Sequence, residues 1–136
     1  MVLLTNTSAS DLSTWTQDYS WGYDNLSFLI VRADGTSFHV KRKPEIFTKN
    51  GPIPYLIRPH DHFAWAVTFS PDDWTGFPSD WKGSEDVSMK AVFEINETPE
   101  STRLKVWTGI VESPSIKVNL TRFLKQWYLK RSYSND

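Results

Sequence analysis

The chain contains no cysteine, which removes disulfides, zinc–thiolate centres and thiol nucleophiles together. It also lacks an excess of charge of either sign: 15 Lys and Arg stand against 16 Asp and Glu, a formal net charge of −1. So balanced a surface has no basic face to neutralise a phosphate backbone, which argues against a dedicated duplex-DNA or RNA binder. Long apolar runs are missing as well. The longest unbroken one is Phe63 to Val67, whereas a membrane-crossing helix needs roughly 20 apolar residues. No transmembrane insertion by a monomer is expected. The opening Met1-Val2-Leu3-Leu4-Thr5-Asn6 has neither the charged nor the apolar region of a signal peptide. With the missing cysteines, this favours a cytoplasmic or non-classically secreted location. No nucleophile motif, glycine-rich phosphate loop or Walker sequence occurs, so neither a dedicated enzyme nor a cofactor is expected.

What is present reads as one β domain spanning residues 1–136. Its 39% hydrophobic and 23% charged residues are those of an ordinary globular chain rather than a disordered one. Leu26 to Arg32 and Ser37 to Lys41 flank Asp34-Gly35, and an Asp-Gly pair between β-rich runs is the strongest short hairpin signal. Further strands are expected at Tyr55 to Arg58, His62 to Phe69, Val87 to Ile95, Arg103 to Val111 and Ser115 to Leu120. In the third of these, Val87, Met89, Ala91, Phe93 and Ile95 share one face while Ser88, Lys90 and Glu94 take the other. One-sided burial of that kind predicts an antiparallel sheet. All 8 prolines fall between the runs, where a missing N–H does no harm. The fold class is therefore an all-β antiparallel sandwich or flattened barrel. At the C-terminus, Leu120, Phe123, Leu124, Trp127 and Tyr128 follow helical spacing. A strand with Phe123, Trp127 and Leu129 on one face is the alternative, and the helix is preferred.

Aromatic residues make up 15% of the chain. Phe28, Trp65, Phe69, Phe93 and Trp107 lie inside expected strands and read as core. The segment from Pro71 to Asp86 differs, being a connection of about 16 residues without strand character, and loops that long are usually functional or disordered. Asp-Trp-x-Gly occurs in it twice, at Asp73–Gly76 and Asp80–Gly83. Trp74, Phe77 and Trp81 beside Asp72, Asp73 and Asp80 combine apolar ring faces with hydrogen-bond acceptors, a combination suited to sugars. A lid folded back onto the sandwich is the structural alternative. The acids of this loop, with Glu85 and Asp86, lack the alternate-position spacing of a calcium loop.

Two further patterns suggest other chemistry. His60-Asp61-His62 can present two imidazoles together, with His39 as a third nitrogen donor. This His-x-His resembles the motif of cupins, metal-binding β-barrels, although Phe63 to Val67 holds no carboxylate where that family has a Glu. A small metal-dependent enzyme is the reading it implies; as a rule such a turn is structural, and no metal is expected. Lys117, Arg122, Lys125, Lys130 and Arg131 sit among Phe123, Trp127, Tyr128 and Tyr133, a mixture that can meet anionic headgroups. Basic residues snorkelling over a packed element are the commoner case.

The order of features also resembles that of aegerolysins, small β-sandwich proteins that recognise membrane lipids. Trp21-Gly22 precedes a strand, Leu56-Ile57-Arg58-Pro59 leads into His62 to Phe69, and Val87 to Ile95 follows a glycine-bearing break. The cysteine-bearing segment of that family is absent, and no residue roles are carried over. Finally, Asn6, Asn25, Asn96 and Asn119 head Asn-x-Ser/Thr triplets. These are read as products of Asn-, Ser- and Thr-rich turns rather than as glycosylation sites.

The functional expectations follow in order. First is a non-enzymatic, lectin-like carbohydrate-binding module using Asp72, Asp73, Trp74, Phe77, Asp80 and Trp81. Second is a lipid or membrane-surface binder of cytolysin type. Third is a cupin-type enzyme on His60, His62 and His39. The expected partner is a glycan or a lipid headgroup, and edge-strand pairing would permit a homodimer.

Overall fold

The structure, a computed structural model, describes residues 1–70, 72–81 and 85–120. Among the described residues, strands hold 43% and helices 8%, an all-β, sandwich-like fold of antiparallel sheets. Two-residue alternation in short runs, stopped by proline and turn residues, leaves helices little to form from. The strands are β1 Val2–Thr5, β2 Leu12–Trp15, β3 Leu26–Arg32, β4 Ser37–Arg42, β5 Pro54–Ile57, β6 His62–Trp65, β7 Trp74–Thr75, β8 Asp86–Ile95, β9 Gly109–Glu112 and β10 Ile116–Asn119. Two short helices, α1 Ser20–Tyr23 and α2 Pro99–Arg103, complete the described set. A six-stranded sheet runs β10-β8-β3-β4-β7 with β9 also paired to β8, and the pairs β1-β6 and β2-β5 form two smaller sheets.

The chain divides into two compact units, each assembled from three separate stretches. The first comprises Met1–Leu26, Pro44–Val67 and Val92–Glu112. Its strand pairs are antiparallel, with Leu4 opposite Phe63 in β1-β6, Leu12 opposite Ile57 in β2-β5, and Phe93 opposite Val111 in β8-β9, and a single parallel bridge joins Ser13 to Val106. Its core contains Trp15, Ile57, Trp65, Val92, Phe93, Ile95 and Val106. Rings run in series from Tyr55 to Phe63, Trp65, Phe93 and Trp107, with successive centroids 4.5 to 6.4 Å apart. Asn6 is also buried, and it is satisfied: its amide donates to the Ser10 and Ile57 carbonyls, and its Oδ1 accepts from Ser8 N and Oγ. That accounts for one of the four Asn-x-Ser/Thr triplets as a structural asparagine.

The second unit comprises Ser27–Lys43, Thr68–Ala91 and Ser113–Asp136. The expected hairpin is present, β3 and β4 pairing Phe28 with Val40 and Ile30 with Phe38. Its core gathers Phe28, Ile30, Val40, Phe69, Trp74, Val87 and Leu120. Pairing of β10 with the start of β8 sets Val118 opposite Val87.

Three expectations need correction. Arg103 to Val111 is not a strand: Pro99–Arg103 is a helix capped by Thr98, whose hydroxyl accepts from Ser101 N while the Ser101 hydroxyl accepts from Thr98 N. This reciprocal cap, with proline in the first turn, favours a helix start over a strand, and pairing resumes only at Gly109. Trp107 is accordingly half-buried rather than core. Pro71 to Asp86 is not without structure, because Trp74–Thr75 pairs with Lys41 and Arg42 of β4. The residues before Leu26, where none of the expected strands lies, carry β1 and β2. The expectation of a C-terminal helix falls, apart from Leu120, outside the described residues.

Candidate functional site

The site grows from the β3-β4 turn. Arg32 ends β3 and accepts Gly35 N–H at 3.0 Å, while its own N–H donates to the Thr36 carbonyl at 2.8 Å. Asp34 Oδ1 accepts from Thr36 N at 2.9 Å and from its hydroxyl at 2.6 Å, and Gly35 takes φ +86°. Glycine adopts that backbone without the side-chain clash another residue meets. Hydrogen bonding to Thr36, by the side chain first and then the backbone, holds the Asp34 carboxyl below its ordinary range.

A turn fixed in this way sets where the Arg32 side chain leaves the sheet. Its Nε donates to Glu85 Oε2 at 2.9 Å, Nη2 donates to Glu85 Oε1, and Nη1 donates to Asp80 Oδ2 at 3.1 Å. A fork of donors against a carboxylate is the strongest geometry these groups offer. The Arg32 side chain is 18% exposed, Glu85 32% and Asp80 68%, so the pair closes inward while one acid faces solvent. Bonds to Glu85 and then Asp80 drive the guanidinium pKa further above its already high value. The same guanidinium lies over the Trp81 ring, 5.6 Å from its centroid. A cation over an indole face is attractive and restrains the ring.

Trp81 belongs to a row of half-buried rings. Phe38 of β4 meets it edge-on at 5.8 Å and lies 6.1 Å from Phe77, which in turn reaches the buried Phe69 at 5.9 Å. The Trp81 Nε1 donor is buried and has no hydrogen-bond partner among the described residues. Gly76 lets the loop lie this close. It has φ +102°, and a Cβ there would stand 2.0 Å from the His39 carbonyl oxygen.

The six residues expected at the site therefore separate into three groups. Asp80 and Trp81 meet Arg32, and Phe77 is joined to Trp81 through Phe38. Trp74 is buried at 3% exposure, packed edge-on to Phe28 and Phe69, and covered by the Arg42 guanidinium at 4.7 Å, so it presents no free face to a ligand. Asp72 and Asp73 are exposed in the preceding turn, where Asp73 Oδ2 accepts the Ser70 hydroxyl. Arg32 also lines a groove of about 530 Å³ with Asp86, Ser88, Lys117 and Asn119, in which Asn119 Nδ2 donates to Asp86 Oδ1 at 2.9 Å. Arg32 and Phe38 escape the sequence reading, since each looks like an ordinary strand residue. The available signal is an arginine placed at the end of a hairpin while five acids crowd a single loop.

The histidines fall in different units. His39 belongs to the second unit, where its Nε2 shares a 2.9 Å hydrogen bond with the Ser27 hydroxyl. His60 and His62 belong to the first: His60 sits in a turn at φ +63° with its N–H on the Asn6 carbonyl, and His62 pairs with Thr5. Among the described residues no group of three or more His, Asp or Glu side chains is placed to hold a metal ion.

No protein family, curated protein or solved structure matches this chain. The functional reading comes from the residues alone.

Proposed function

We propose that the protein is a non-enzymatic carbohydrate-binding module whose contact surface is the Trp81 patch and the groove beside it. The observation that carries this reading is the position of Arg32. It lies over Trp81 and also lines a mixed groove that carries Asp86, Ser88, Lys117 and Asn119 among valines. A pyranose needs both surfaces: an apolar ring face for its C–H bonds, and planar charged or amide groups for its hydroxyls. Trp81, Phe77 and Phe38 supply the first. Arg32, Asp80, Asp86, Ser88 and Asn119 supply donors and acceptors for the second. A volume of about 530 Å³ lies within the range of small-ligand sites. Prior fixing of the guanidinium by Glu85 lowers the ordering cost of binding.

Glycan-array screening followed by calorimetric titration tests this. Trp81→Ala should weaken binding by about tenfold, the equivalent of about 1.4 kcal/mol. Retained affinity in that variant refutes the assignment of the patch. Binding should vary little between 50 and 500 mM salt, because hydroxyl recognition involves no net charge neutralisation. A steep salt dependence on anionic vesicles, with no glycan bound, would establish the lipid reading instead.

A further inference from the structure

The first unit carries a groove of its own, built from residues that the Arg32 site does not use. It measures about 470 Å³, a volume suited to a small ligand. Asp11, Glu97 and Lys105 line it beside Leu12 and Trp107, and four serine and threonine residues with Val106 complete the lining. All three charged residues are exposed, so both signs of charge can be reached from solvent. None of the three makes an ion pair or a side-chain hydrogen bond with a described residue.

The groove forms where β2 meets the end of α2. Ser13 and Val106 make a parallel bridge, and Trp107 N–H donates to the Ser13 carbonyl at 2.8 Å. The helix is capped at Leu104, after which Lys105 N–H donates to the Thr102 carbonyl at 3.3 Å and Val106 N–H to the Ser101 carbonyl at 2.9 Å. This pair of bonds is a helix stop that turns on one left-handed residue, a position that glycine usually takes. Here the residue is Lys105, at φ +54°. A side chain at that φ crowds its own backbone, which glycine avoids. The helix end has a cation without it, because Arg103 lies in the last turn. Lys105 therefore stands where the backbone disfavours it, gains no partner from doing so, and lines a groove with two unpaired acids. Residues kept against local preference mark functional positions.

We propose that this groove binds a free α-amino acid with an apolar side chain. Lys105 takes the carboxylate, Asp11 and Glu97 take the ammonium, and the side chain lies against Leu12 and Trp107. A zwitterion matches both signs of charge at once, whereas a simple acid or amine leaves like charges beside it unmatched. The class is distinct from the sugars assigned to the Arg32 groove.

Calorimetric titration of the full chain with phenylalanine, 3-phenylpropionate and 2-phenylethylamine tests the proposal. Phenylalanine should bind saturably with Kd at or below about 1 mM, and each compound lacking one charge should bind at least about tenfold more weakly. Lys105→Gly should bind phenylalanine at least about tenfold more weakly than wild type, while its urea midpoint rises because glycine suits the left-handed turn. Asp11→Asn combined with Glu97→Gln should weaken phenylalanine but not 3-phenylpropionate. No saturable binding of phenylalanine up to about 10 mM overturns the proposal, as does equal affinity for the three compounds. Unchanged phenylalanine binding in Lys105→Gly overturns it too. A lowered midpoint in that variant does the same, since the lysine would then be kept for the fold.

Discussion

Trp74 and Trp81 occupy the same position in two copies of a four-residue pattern, yet they have opposite surroundings. Trp74 is 3% exposed and enclosed by Phe28, Phe69 and Arg42. Trp81 keeps an accessible part of its ring beside Arg32 and Asp80. Trp74→Ala should therefore remove a large core side chain and cost about 3–5 kcal/mol of stability in urea denaturation. Trp81→Ala should cost only about 1–2 kcal/mol, the loss of a partly buried ring and one cation–π contact. Gly76→Ala should be severe for its position, about 2–4 kcal/mol, because the added Cβ meets the His39 carbonyl and the backbone sits at φ +102°. Thr14→Val should leave stability unchanged or raise it by about 1 kcal/mol, since the hydroxyl it removes is buried and unpaired among the described residues.

At the scale of elements, the β3-β4 hairpin links sequence to site most directly. Asp34-Gly35 identifies the turn, the turn fixes Arg32, and Arg32 organises Asp80, Glu85 and Trp81. The Asp34 carboxyl is held below its ordinary value of 3.8 by Thr36, so its contribution is fully present above that value and is lost as pH falls through the depressed one. Asp34→Asn keeps an oxygen for the turn and does not titrate. Urea midpoints should therefore show wild type ahead of this variant at pH 7 and level with it near pH 2. A constant gap at both pH values would contradict the assignment. Two-residue alternation and an Asp-Gly turn act within a few positions, which is why β3, β4 and β8 could be read from the chain. The helix at Pro99–Arg103 was masked by the apolar Leu104 to Val111 stretch, and a Thr98–Ser101 cap outweighs that pattern locally. β7 was invisible because a two-residue strand has no period; only the space cleared by Gly76 against His39 brings it to β4. Of the site, Phe77, Asp80 and Trp81 were legible as loop residues. Arg32 was not, since its partners lie 48 and 53 positions away.

For the molecule as a whole, the all-β class was legible because every strand signal is local, whereas the division into two units was not. Each unit draws on three stretches separated along the chain, and no composition shift marks their limits. The proposed sugar site, the Arg32 groove, is lined entirely by residues of the second unit. With a net charge of −1, long-range steering contributes little to binding there. Affinity should depend on the shape and hydrogen bonding of the ligand rather than on ionic strength.

The most direct test of the central claim is calorimetric titration of the best array glycan into wild type and Trp81→Ala at 150 mM salt. The account predicts saturable binding by the wild type and a loss of about tenfold in the variant, with its urea midpoint still showing a folded chain. Equal affinity in the two proteins, or no glycan bound by the wild type, would contradict it.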